Sequence, residues 1–128
     1  MHAPPAPFIP EDRVGELVLA ILTCWSGDLE EGERAIAPLR ALAEPVADTV
    51  GPILYPVMFQ FTAPASEPHA ASIRSMFADG HTDGEIDAVI AAMHVATSPQ
   101  AMVQFRELGG ALARVSNGET AFAHRDKR

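Results

Sequence analysis

Eleven prolines interrupt the 128-residue chain, and one of them stands where a helix should be most regular. In "CWSGDLEEGERAIAPLRAL", residues 24–42, Asp28 and Glu31 form an acidic version of a helix-capping pair. Glu30, Glu31 and Glu33 then fall near the positive end of the helix dipole. Leu29, Ile36, Leu39 and Ala43 follow at helical spacing, which predicts one buried face. Pro38 breaks the pattern: it removes the hydrogen bond to the carbonyl of Arg34 and crowds that turn, at a cost of ~3 kcal/mol in a regular helix interior. The expectation is a kink or two short helices end to end. Glu44-Pro45 closes the element, because a residue before proline is pushed out of the helical region.

Pro4, Pro5, Pro7 and Pro10 hold residues 1–13 extended, as a Pro-rich lead-in segment with no fold of its own. Residues 14–128 are then expected to form a single domain, which at this length would bury roughly two-thirds of its unfolded surface. The 48% apolar and 20% charged content is that of a globular protein. Residues 16–25, "ELVLAILTCW", are apolar almost throughout and precede the turn "SGD", which reads as a strand covered on both faces. Cys24 would be a small buried hydrophobe in that strand.

Residues 53–61, "ILYPVMFQF", carry the β-branched and aromatic residues of a second strand, with Pro56 at an edge or a bulge. Residues 62–72 read as a loop. In "HTDGEIDAVIAAMHVATSP", Thr82 and Glu85 make a capping box, Ile86, Val89, Ile90 and Met93 share one face, and Ser98-Pro99 stops the run. Residues 100–115 alternate in part and read as a strand with a bulge at Gly109-Gly110. This order predicts an α+β fold: an open, mainly antiparallel sheet with helices packed on one face.

The formal charge of −8 disfavours binding to a phosphate backbone, so no nucleic-acid partner is expected. The basic tail "HRDKR" reads as a solvated end. No stretch reaches the ~18 to 20 apolar residues needed to cross a bilayer, and the start has no leader pattern, so no membrane partner and a cytoplasmic location are expected. The five histidines are dispersed, without metal-ligand spacing, and His94 falls on the polar side of its helix. Neither a nucleophile elbow nor a glycine-rich phosphate loop occurs. Tyr55, Gln60, Gln104 and Arg106, on the predicted strands, are the candidates for lining a substrate pocket; the plain alternative for each is an exposed strand face.

The ordered series "PPAPFIPE", "CWSGDLEEGERAIAPLRAL", "PILYP", "RSMFADGHTDGEID", "VQFRELGGALARV" and "TAFAHRD" resembles the substrate domain of FAD-linked oxidases of the berberine-bridge-enzyme-like group, which includes hydroxynicotine-oxidase-like flavoproteins. The double glycine followed by the T-x-F-x-H-R segment is its most specific part. The resemblance implies hydride transfer from a small organic substrate to FAD, with oxygen reoxidising the flavin, and it implies that proline before "LR" belongs to the fold. The FAD-binding part would precede "PPAPFIPE", and catalytic strands would follow "HRDKR". The expectation is therefore a truncated or detached substrate domain, inactive alone, with no catalytic residue carried over and no tight FAD binding. His124-Arg125 would anchor a turn. The partners implied are a separately encoded FAD-binding domain or, for a stand-alone interaction module, a second copy in a homodimer.

Overall fold

A helix satisfies its backbone hydrogen bonds internally, whereas a strand needs a neighbour, and that difference decides what this chain forms. The computed structural model describes residues 1–127, apart from the side chains of Pro64 and Ala65. Arg128, the last residue of the basic tail, lies outside the described residues. Three α-helices are present among them: α1 (Leu29–Arg40), α2 (Met58–Thr62) and α3 (Asp83–His94). Single turns of 3-10 helix occur at Glu11–Arg13, Tyr55–Val57, Ala63–Ser66 and Leu112–Arg114. The chain divides into two units, one spanning His2–Ala71 and the other beginning at Ser72.

The expected open antiparallel sheet is absent among the described residues. Among the described residues the only β pairing is an isolated antiparallel bridge between His2 and Leu17. Each of the three predicted strands takes another form, for a local reason. Residues 18–26 run without helix, turn or bend, and among the described residues no β-bridge joins residues 19–26 to a second segment. Cys24 is exposed there, not buried. In residues 53–61, Leu54 is extended and Pro56 lies in the first turn of a 3-10 segment that leads into α2. Proline's fixed φ suits the start of a helix, so the residue expected to mark a strand edge here begins a helix. Residues 100–115 form no β-bridge among the described residues either; Gly110 takes a left-handed turn at φ +61, and Leu112–Arg114 follows as a 3-10 turn.

In the first unit the lead-in segment folds back on itself. Ala3 N–H donates to the Glu16 carbonyl at 2.8 Å, Gly15 N–H donates to the Ala3 carbonyl at 2.9 Å, and Ala3 is buried as a result. Gly15 closes this loop at φ +85, a conformation that suits a residue without a Cβ. The Asp28 side chain accepts the Glu31 N–H at 3.0 Å and caps α1. Pro38 neither splits nor ends α1, because it falls in the last turn, where one carbonyl, that of Arg34, loses its partner. The helix closes at Ala41, short of Glu44-Pro45.

In the second unit α3 begins as predicted. Glu85 N–H donates to Thr82 Oγ1 at 3.3 Å, while Thr82 N–H and Oγ1–H donate to Glu85 Oε2 at 2.7 and 2.9 Å. Met93 is buried at the far end, but Ile86 and Ile90 on the same face remain exposed. The hydrogen bonds from Thr82 hold the Glu85 carboxyl below its ordinary value, with the charge of His81 adding to the effect. A depressed folded pKa contributes stability that is present above the unfolded pKa and lost as pH falls through the folded one. Helicity of α3 is therefore expected to fall on acidification below pH 4.5, the ordinary value of this carboxyl. Thr82→Ala should weaken that dependence only in part, because the Thr82 backbone N–H that contributes most remains, and should cost about 1 kcal/mol of cap stability, both measurable by circular dichroism.

Candidate functional site

The first unit carries an apolar groove of about 340 Å³ lined in part by α1. Ile21 and Trp25, Leu29 and Ile36 of α1, and Tyr55 and Phe61 line it. Residues 49–53 complete the rim.

Two contacts hold the walls to α1. At its start, the Trp25 indole N–H donates to the Asp28 carbonyl at 3.0 Å, and the ring lies flat enough on Gly32 that a Cβ there would come within 2.8 Å of Cδ1. A glycine inside a helix costs about 1 kcal/mol relative to alanine, and here it makes room for the indole. At the other end, Arg40 donates from Nε to Asp48 Oδ2 at 2.6 Å, from Nη1 to Glu33 Oε2 at 2.5 Å and from Nη2 to the Val50 carbonyl at 3.0 Å. Asp48 in turn accepts the Val50 N–H at 2.9 Å. These bonds raise the Arg40 pKa, chiefly through Asp48, and lower that of Asp48, chiefly through the Val50 N–H and then Arg40.

Of the sequence-predicted pocket residues, Tyr55 lines the groove, sits in a 3-10 turn and packs edge-on against Phe59 with centroids 6.1 Å apart. Gln60 lies in α2, exposed and outside the groove lining. Gln104 and Arg106 belong to the second unit, where Gln104 Oε1 accepts from Arg106 Nη2 at 3.1 Å and Nε at 3.3 Å, all exposed. Trp25, Gly32 and Arg40 escaped the sequence reading. A glycine at an interior helix position seven residues after the only tryptophan was the available signal.

The second unit has a concavity of about 410 Å³ bordered by Gly109, Gly110, Arg125 and Lys127 together with Glu107 and Asp126, so its charges cancel. Arg125 does anchor a turn: its guanidinium donates to the Leu112 carbonyl at 3.1 Å and to Thr120 Oγ1 at 2.5 Å, and its N–H to Asn117 Oδ1 at 3.0 Å. His124 stacks on Phe77 at 4.0 Å. His94 is exposed. No group of three or more His, Cys, Asp or Glu side chains is arranged to hold a metal among the described residues. Nor is any helix among them long and apolar enough to cross a membrane.

Gly32→Ala tests the seat of Trp25. The new methyl is expected to lift the indole off α1, break its bond to Asp28 and shift Trp25 emission to the red. The gain of about 1 kcal/mol from helix propensity should be offset, leaving thermal stability no higher than that of the parent chain.

In comparisons with known proteins, no family model matches the chain, and neither does any curated protein or solved structure. The α+β sheet domain implied by the resemblance to FAD-linked oxidases is overturned by the absence of strands among the described residues. Neither the fold nor the comparisons lend support to a flavoprotein or oxidase label.

Proposed function

We propose that this chain does no chemistry alone and acts as the incomplete half of an assembly, completing its apolar core on a partner. The surface it leaves open carries this reading. The chain exposes 10638 Å². A folded monomer of its mass exposes about 6,600 Å², and two separately folded halves would together expose about 7,900 Å². Ala3 and Met93 are the only buried apolar residues among those described, while side chains as large as Leu19, Leu54 and Met76 stand in solvent. Exposed apolar side chains, where they form a contiguous patch, are what partners cover. The groove is lined mainly by apolar side chains; Thr23, Cys24, Ser26, Glu33, Thr49 and Tyr55 are its polar members, and Glu33 is engaged by Arg40.

On the resemblance, the absent half would be the flavin-holding remainder of an oxidoreductase that transfers hydride from a small organic substrate to FAD. That parentage rests on the quoted residues alone. In the second form of the reading the partner is another copy of the chain. The same open surface favours it, and a monodisperse monomer in light scattering would remove it.

The purified chain is expected to enhance the emission of the apolar dye ANS and to give no saturable change in flavin fluorescence anisotropy when titrated with FAD. Absence of ANS binding by a chain that unfolds cooperatively would contradict the partner-completed reading. Saturable FAD binding would contradict its claim that the chain alone lacks cofactor chemistry.

A further inference from the structure

We propose that residues 19–24 are an acceptor edge for a strand supplied by a different protein, an extended segment of alternating apolar residues flanked by Lys or Arg. This inference rests on the reading that a partner completes the chain, and it names where that partner docks and by what chemistry.

Three observations converge on this edge. First, residues 18–26 run without helix, turn or bend, and no backbone hydrogen bond ties residues 19–24 to another described segment. An apolar stretch with open N–H and C=O groups is the template that strand addition uses: main-chain bonds supply affinity and alternate side chains supply specificity. Second, the stretch forms a wall of the groove, so a strand laid beside Ile21 and Leu22 would also cover apolar surface beyond its own edge.

Third, charge selects the occupant. Residues 2–71 hold ten carboxylates against three arginines. Two of those arginines are already spent, Arg13 on Glu16 and Arg40 on Glu33 and Asp48. Glu33, which lines the groove, is already shared with Arg40, so the carboxylates nearby with no ion pair among the described residues are Glu30 and Glu31 on the first turns of α1. A second copy would bring an equally acidic unit to this face, whereas a segment with cationic ends meets complementary charge.

The experiment uses the full chain and a labelled ten-residue peptide alternating valine and threonine, with two lysines at each end. Saturable anisotropy is expected, with a blue shift of the single tryptophan, Trp25, as the groove is covered. Replacing the terminal lysines by glutamates should weaken binding at least tenfold at low salt, and the difference should shrink as salt is added. N-methylation of the amides along one peptide edge should abolish binding. Leu22→Lys should also weaken it at least tenfold, and Leu19→Lys serves if the first variant does not fold.

Lack of saturable binding by the lysine-flanked peptide, equal binding by its N-methylated or glutamate-flanked forms, or a chain already dimeric with Trp25 covered would each overturn the proposal. A chain that binds ANS but not the peptide would sink the strand-acceptor inference and leave the partner-completed reading standing. Failure of both would sink both.

Discussion

Arg40 and Trp25 fix the groove from opposite ends of one helix, and the rest of the first unit is arranged by what those two side chains hold. The Arg40 guanidinium spends its donors on Glu33 within α1 and on Asp48 and Val50 beyond it. It thereby draws the 48–50 segment against the last turn. Trp25 rests on Gly32 and donates to the carbonyl of the capping residue, which sets residues 21–25 against the first turns. Partly exposed ion pairs of this kind contribute little stability individually, so their role here is geometric: they define a cleft whose walls are in place before anything enters it.

Twenty-four large apolar side chains are exposed among the described residues. Fully covering about five of them would contribute on the order of 7–15 kcal/mol. Before the cost of association is subtracted, that is comparable to the whole stability of an ordinary domain. The local features that do form, two capped helices and a few closed turns, are those that satisfy their own backbone groups without long-range help. The segments that need help from elsewhere, residues 19–24 and 101–109, form no β-bridge among the described residues.

The same division explains which parts of the structure could be read from the sequence. Asp28 with Glu31 and Thr82 with Glu85 announced both longer helices, because a cap is a contact across three residues and carries its geometry in its spacing. The strands predicted at residues 16–25, 53–61 and 100–115 rested on side-chain preference, which reports suitability for a sheet and cannot supply the neighbour a sheet requires. Pro56 illustrates the ambiguity: its fixed φ fits a strand edge or the first turn of a helix, and the turn won because it closes locally. Pro38 was legible as an interruption but not as a harmless one, since its effect depended on lying in the last turn of α1. At the candidate site, Tyr55 was visible as a lone phenol. The Arg40–Asp48 contact spans eight residues and leaves no periodic trace.

The central claim is that residues 19–24 present an open edge waiting for a partner, and amide hydrogen exchange on the isolated chain tests it most directly. The account predicts that amides of residues 19–24 exchange at the rate of an unstructured chain while those inside α1 and α3 are measurably slowed. Protection at residues 19–24 matching that of the two helices would show that the chain already pairs this edge by itself, and would contradict the account.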